Sequence, residues 1–570
     1  MKNIPLYEVR PIKNIKDMLN TSAEIYKGNT AYLSKKHPGE PYSSITFGKF
    51  KEDVDFFGTA LINAGLKGKN IAIIGENRYE WSITYMATLC GTGVIVPLDK
   101  ELPVNEIATL INRSNAEAVI FSPSVKDNIN AIKDSVPSVK RFICMAKSAE
   151  SDGYEYFYDY IAKGKELVGK GDRSFIDAEI NNDEMSVLLF TSGTTDKAKG
   201  VMLSHKNLAV NLMSMSSMVY IAPNDIFLSI LPIHHTYECT CGFLCPMYRG
   251  SAVAYSDGLR HIPKNMVESK VSIILGVPLI FEMFYKRIWA GIESNGMGSK
   301  VRFAIKLNNA LKTIGIDLSK KLFKKIHDNF GGNINIFVSG AAGIDPLVGI
   351  GFRDIGIKLL QGYGLTECSP IAALNRDCDF KFDAAGLPLP GCEIKIFNAS
   401  DDGNGEIIIK GENVMLGYFE NPEANAVAII DGWFYSGDLG FIDKDGFVHI
   451  TGRKKNVIIT KNGKNIYPEE IEELLTRSVY IKECVVKGKQ DENDDDVVVT
   501  AIIVPDMDRF ELDLPEGNIT PEIVYNTLQD EIKKVNKSLT TYKYVKDFVI
   551  QETEFEKTTS KKIKRSYDKV

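Results

Sequence analysis

The chain has 570 residues, 44% apolar and 25% charged, which at ~150 residues per domain predicts roughly three to four domains or two large ones. Lysine plus arginine number 68 against 74 aspartates and glutamates, and the net charge of −6 is too near balance to attract nucleic acid or another polyanion. Nine cysteines scattered between Cys90 and Cys484 make no disulfide-rich pattern, so a reducing cytoplasm is the expected compartment.

The N-terminal MKNIPLYEVRPIKNIKD interleaves charged and apolar residues and lacks the apolar core of a signal peptide. From Ile45 onward, helical periodicity over 48–65, 80–91 and 104–113 alternates with short β-rich runs at 71–75, 94–98 and 118–121. That rhythm predicts an α/β fold with a largely parallel sheet. It resumes after residues 151–183 with strands expected at 187–190, 271–277 and 334–340, each followed by a loop and a helical pattern. The longest apolar stretch, 271–281, contains Pro278 and is too short to span a bilayer, so membrane association is expected to be peripheral at most. Ligands of such sheets bind beyond the carboxyl ends of the strands.

After about residue 385, closely spaced short strands and turn signals, as in CEIKIFNASDDGNGEIIIKG (392–411), predict antiparallel β-structure. Beyond Gly452, β-rich runs at 483–488 and 497–504 alternate with helical patterns over 468–477 and 521–537. The expected organisation is a large N-terminal domain, 1–452, of layered α/β subdomains with a β-rich subdomain over about 385–452, and a small α/β C-terminal domain, 453–570. The acidic run DENDDD (491–496) reads as a solvated turn between strands.

Chemistry concentrates first in LLFTSGTTDKAKGVMLSH (188–205): a buried-strand signal, then Thr191, Ser192, Gly193, Thr194 and Thr195, then Lys199 and Gly200 before a helical stretch. Hydroxyls and a flexible glycine can wrap donors around phosphate oxygens, and the lysine adds a point charge, which suits a nucleoside triphosphate. The GxxxxGK[ST] spacing is absent, which argues against a P-loop kinase or GTPase.

This segment resembles the signature loop of the adenylate-forming superfamily of acyl-CoA synthetases, luciferases and peptide-synthetase adenylation domains, whose pattern is TSGTTGxPKG. Asp196 and Ala198 depart from it. Further segments match the same family. QGYGLTECSP (361–370), following VSGAAGIDP (338–346), covers Gln361, Gly362 and Tyr363. The resemblance implies that adenine lies between Gly340-Ala341-Ala342 and the Tyr363 ring, that Thr366 reaches the α-phosphate, and that Glu367 holds Mg²⁺ with Thr191. In GWFYSGDLGFIDKDGFVHITGRKKN, it places Asp438 on the ribose hydroxyls, Arg453 on ribose or phosphate, and Lys455 at the hinge of a mobile C-terminal domain. Gly463 would border the pantetheine channel of coenzyme A. FEKTTSKKIKR (555–565) is similar to the terminal PKTxxGKIxR and makes Lys562 the catalytic lysine, with Lys557 and Lys561 as alternatives.

LPIHHTYECTCGFL (231–244) and GVPLIFEMFYKRI (276–288) resemble the long-chain fatty acyl-CoA synthetase branch, which implies an acyl pocket with His235 at its carboxylate end beside Tyr237, Val277 and Pro278. Zinc on His234, His235, Cys239, Cys241 and Cys245 is disfavoured because their spacing matches no standard site. The function implied is a two-step ligase taking a fatty acid, ATP with Mg²⁺, and coenzyme A. Acyl carrier protein as acceptor, shorter or aromatic acids, and a catalytically decayed nucleotide-binding scaffold remain as alternatives. Neither nucleic acid nor a fixed oligomeric state is implied, and a homo-oligomer is compatible.

Overall fold

The computed structural model describes residues 4–147, 153–191, 198–401, 403–460, 464–490, 497–514, 519–557, 563 and 565. Two compact units emerge, Met1–Ile394 with Ile409–Phe434, and Lys395–Ile408 with Tyr435–Val570. The chain passes between them inside the strands Cys392–Phe397, Gly405–Gly411 and Trp433–Ile442.

The first unit holds two large sheets. In one, Lys69–Ile74 runs parallel between Gly93–Leu98 and Ala118–Phe121, with Arg141–Cys144 and Glu155–Tyr156 beyond on one side and Met185–Thr191 on the other. IAII and AVIF are unbroken apolar runs because their side chains are buried on both faces. Ala72, Ile74, Val96, Val119 and Phe121 pack with Ile107, Leu110 and Ile111 of the helix Val104–Arg113, whose apolar residues recur at helical spacing.

Two expected elements change at this sheet. The helical stretch expected after Gly200 does not start there: Lys199–Ser204 is a strand folded back antiparallel on Met185–Thr191, pairing Thr191 with Lys199. Gly200, Val201 and Leu203 of its GVML run are buried in the ladder, and the helix starts only at His205, where the Ser204 and Asn207 side chains cap each other's N–H groups. The helix expected over 80–91 ends as an α-helix at Ala87; Thr88–Thr92 widens into a π-type turn broken at Gly91, whose φ of 156° few other residues adopt.

In the second sheet, Lys358–Gly364, Ile336–Ser339, Ile273–Gly276, Ile226–Ser229, Ala252–Tyr255 and Thr30–Ser34 run parallel in that spatial order. Antiparallel strands, Ile371–Leu374 and Ser43–Thr46, flank the two sides. Its core is aromatic: Phe337 meets Phe281 at 5.0 Å and Phe352 at 5.1 Å between ring centroids. Such tilted and edge-on pairs add ~0.5–1.5 kcal/mol beyond burial.

In the second unit, Ile481–Gln490 pairs antiparallel with Val497–Pro505, and Asp547–Ile550 lies parallel to the latter. Helices Pro468–Thr476 and Pro521–Asn536 bury Ile471, Leu475, Leu528 and Ile532 against Val486, Ala501 and Ile503. Residues 491–496, read as a solvated turn, lie outside the described residues.

Candidate functional site

Register brings two loops and a strand end together at the carboxyl ends of the parallel strands. Gly276 pairs with Ser339, and Ser339 with Gln361, so Val277-Pro278 and Gly340–Ala342 leave their strands side by side, next to Gly362-Tyr363, which continue theirs to Gly364. The Gly340 N–H donates to Gly276 O at 3.1 Å. A Cβ on Gly340 would lie 2.8 Å from Tyr237 Cζ, so the missing side chain lets that ring lie against the backbone, where its hydroxyl donates to Val338 O at 2.9 Å. Ala341 adopts a left-handed φ of 72° and is exposed with Ala342, while Tyr363 is buried beside them. Gln361 is fixed by donating to Phe382 O at 2.5 Å.

Past Gly364, Thr366 and Glu367 occupy a short helical turn, Thr366–Cys368. The Thr236 hydroxyl lies 3.3 Å from Thr366 Oγ1, and the Tyr418 hydroxyl donates to Glu367 Oε1 at 2.9 Å. Burial, then the neighbouring Glu367 carboxylate, push the Tyr418 phenol well above its ordinary range, so it stays a donor. Asn425 holds Tyr418 in place, accepting its N–H at 2.6 Å and donating to its carbonyl at 3.0 Å. Gly417–Tyr418 pairs antiparallel with the strand that begins at Lys199, and the Lys199 ammonium sits 4.8 Å from the Tyr418 ring centroid. Thr191, paired with Lys199, donates to its carbonyl at 3.4 Å.

Lys199 is therefore linked through Tyr418 to the turn that carries Thr366 and Glu367, and Thr191 lies beside Lys199 in the ladder. Ser192, Gly193, Thr194, Thr195 and Asp196 lie outside the described residues. The Glu367 carboxylate and the Thr366 hydroxyl, carried on one turn, are oxygen donors of the kind a hard cation such as Mg²⁺ takes.

In the loop expected to border the acyl pocket, His235 is half-buried and its ring stands 4.2 Å from that of His234. Burial, with His235 and Lys100 nearby, holds His234 neutral; its Nε2 is 3.5 Å from Asp99 Oδ2. Asn77 clamps the approach to both histidines, donating to Ser229 Oγ at 2.8 Å and Leu231 O at 2.7 Å and accepting the Ile233 N–H at 3.0 Å. Ser229 in turn donates to Glu238 Oε1 at 2.6 Å.

Residues Tyr237–Leu244 form a π-type helix, a geometry frequent at functional sites. Cys241 Sγ in it lies 3.8 Å from Met215 Sδ, and Cys245 Sγ, just past its end, lies 3.7 Å from Ser216 Oγ. Burial pushes Cys239 up to about 12 and Cys245 to about 11, keeping them as thiols. Among the described residues, no three His, Cys, Asp or Glu side chains are grouped to hold a metal.

In the second unit, strand register pairs Asp438 with Arg453, and Arg453 Nε meets the buried Asp438 Oδ1 at 2.7 Å. The Asp438 N–H donates to Ser436 Oγ at 3.0 Å. Burial, then Arg453 and Arg565, lower the Lys455 ammonium below its ordinary value. Gly463, Lys561 and Lys562 lie outside the described residues. Lys557, the alternative to Lys562, is bound by Glu483 and by Glu554, the latter at 2.6 Å. Arg565 is anchored on Glu472 at 2.5 Å.

Sequence reasoning passed over Tyr418, Thr236 and Asn77. Their partners lie far along the chain, and no local pattern points to them.

The family model described as AMP-binding enzyme matches residues 19–419, and that described as AMP-binding enzyme C-terminal domain matches residues 455–567. Long-chain-fatty-acid–CoA ligase 5 of Rattus norvegicus is 28% identical over 513 residues, spanning 84% of this chain and 73% of its own. Long-chain-fatty-acid–CoA ligase FadD15 of Mycobacterium bovis is 26% identical over 488 residues, spanning 82% and 78%. The solved structure of the anthranilate CoA ligase AuaEII in complex with anthranoyl-AMP matches the fold with a TM-score of 0.75 at 19% identity, over 99% of this chain and 97% of that one.

Proposed function

The chain belongs to the AMP-binding enzyme family, and on that premise we propose that it is an ATP-dependent acid–thiol ligase that activates medium- to long-chain fatty acids and passes them to coenzyme A. The observation that carries this reading is the meeting of Gly340–Ala342, Tyr363 and the Thr366-Glu367 turn at the carboxyl ends of parallel strands, with Lys199 and Tyr418 alongside. The acyl chain length is supported by the two relatives, both long-chain-fatty-acid–CoA ligases, and by the HTYE and VPLIFE segments.

In this reading adenine lies between the Gly340–Ala342 edge and Tyr363, Asp438 accepts from the ribose hydroxyls, and Arg453 orients Asp438. The hydroxyls of Thr191, Ser192, Thr194 and Thr195, the backbone at Gly193 and the Lys199 ammonium surround the triphosphate. Mg²⁺, held by Glu367 with Thr191, would neutralise phosphate charge. With His235 at its carboxylate end, the acid attacks the α-phosphorus and pyrophosphate leaves; the coenzyme A thiol then attacks the acyl carbon and AMP leaves. Thr366 donates to the α-phosphate, and Lys562 neutralises charge developing between carboxylate and phosphate. No residue of the chain bonds covalently to substrate, so catalysis is positioning plus electrostatics. Lys562 is needed in the first step, and the channel beside Gly463 in the second, which gives rotation about Lys455 its purpose.

The test is carboxylate-dependent ATP–pyrophosphate exchange with Mg²⁺ and without coenzyme A, across acetate, octanoate, palmitate and benzoate. Exchange highest with octanoate or palmitate supports the reading. A maximum with benzoate or acetate replaces the acid, and ATP binding with no exchange replaces the ligase by a nucleotide-binding scaffold.

A further inference from the structure

The helix Gly298–Lys312 exposes an apolar stripe that the ligase chemistry does not use. Phe303, Leu307 and Ala310 recur at helical spacing on its outer face, and Ile314 continues their line just past the helix end. Phe303 is 68% exposed, Leu307 50% and Ile314 70%. The opposite face is fixed to the body of the protein: Val301, Ala304 and Ile305 pack on the second sheet's core. Buried Asn308 donates to Ser319 Oγ at 2.8 Å and accepts the Leu318 N–H at 2.9 Å. Arg302 lies over the Trp289 ring at 4.8 Å and pairs with Glu293, tying the helix to its neighbour Pro278–Ser294. The stripe is therefore held outward.

Charge completes the pattern. Residues 300–325 carry eight lysines and arginines against a single acidic residue, Asp317, in a chain whose net charge is −6. Lys300 and Lys306 flank the apolar stripe on either side at helical spacing, and exposed Lys320 and Lys321 follow beside Leu322, itself 46% exposed. Large apolar side chains bordered by lysines on a convex helix suit an interface between water and acyl chains, with ammonium groups at headgroup level. No described helix is long and apolar enough to cross a membrane, so contact here would be in the plane of the surface.

We infer that residues 298–322 are a docking surface for an anionic lipid bilayer, Phe303, Leu307 and Ile314 entering the headgroup boundary and Lys300, Lys306, Lys320 and Lys321 meeting the anionic headgroups. The inference rests on exposure and charge alone and stands or falls separately from the ligase reading.

The experiment is co-sedimentation of the full chain, without ATP or fatty acid, with vesicles of pure phosphatidylcholine and with vesicles containing roughly one-third phosphatidylglycerol. Binding to the anionic vesicles that weakens as NaCl is raised is expected. Phe303→Glu with Leu307→Glu should abolish it. Lys300→Glu with Lys306→Glu should weaken it by well over fivefold, about fivefold being the effect of one basic residue near such a surface. Both double variants alter exposed positions and should keep the wild-type circular-dichroism spectrum and Tm, which reports that they are folded. Equal binding to neutral vesicles, no binding, or full binding by either variant would overturn the inference. Self-association of the wild type that the Phe303/Leu307 variant loses, without lipid binding, would assign the stripe to a second copy instead.

Discussion

The Tyr418 hydroxyl donates to Glu367 Oε1 at 2.9 Å, while the face of the same ring meets the Lys199 ammonium at 4.8 Å. One side chain thus couples the carboxylate assigned to the cation with the lysine closing the phosphate loop. Tyr418→Phe keeps the ring but removes the donor. A hydrogen bond to a charged group contributes ~1.5–3 kcal/mol, so the exchange rate should fall about tenfold or more, with a higher Mg²⁺ concentration at half-maximal rate. Unchanged exchange and an unchanged Mg²⁺ titration would show that Tyr418 has only a packing role.

That coupling marks where sequence reasoning stops. The apolar runs at 71–75, 94–98 and 118–121 announce buried parallel strands, and Gly340–Ala342 and Gln361–Glu367 stand in contiguous motifs, so these parts were legible locally. Tyr418 acquires its position through a two-residue strand paired to Val201 and Met202, and Thr236 through a contact with Thr366; neither pairing has a local signal. The residues just after Gly200 read as the beginning of a helix because the helical pattern that follows them is strong. What decides the strand is burial against Met185–Thr191, and the Ser204–Asn207 cap sets the boundary. The residues of the phosphate loop at 192–197, Gly463 and Lys562 were named from motifs alone and lie outside the described residues.

Asp438 is buried and paired through Oδ1 with Arg453 Nε at 2.7 Å. If its carboxylate also accepts from the ribose hydroxyls, Asp438→Asn should raise the KM for ATP about 10- to 100-fold, the expected effect of losing one or two charge-assisted hydrogen bonds. The kcat at saturating ATP should change far less. Arg453→Lys retains charge but not the planar guanidinium, and should give a smaller rise in the same constant. An effect confined to kcat would remove both residues from the ribose site.

Glu238 gives a pH prediction. Burial raises its carboxyl to about 8, opposed by the hydrogen bond from Ser229. Since its ordinary value is 4.5, between these values the folded protein holds a proton that the unfolded chain has lost. The stability so contributed is complete below pH 4.5 and is lost as pH rises through 8, up to on the order of 4–5 kcal/mol. Glu238→Gln mimics the protonated acid and cannot ionise. Urea unfolding from about pH 5 to about pH 9 should therefore show a shallower decline for the variant than for the wild type. Parallel declines would mean that Glu238 does not titrate in this range.

The two-step reading makes opposite demands on two residues of the C-terminal region. Lys562→Ala should cost at least about a hundredfold in pyrophosphate exchange, as expected when a charge facing the transition state is removed, yet leave thioester formation from a preformed acyl adenylate largely intact. Gly463→Leu should do the reverse, by obstructing the approach of pantetheine. Lys557→Ala separates the competing assignment: Lys557 is bound by Glu483 and Glu554, so its loss should lower Tm while exchange by the folded protein persists. Were Lys557→Ala to abolish exchange and Lys562→Ala to spare it, the catalytic role would pass to Lys557, and its pairing with Glu483 and Glu554 would have to break before adenylation.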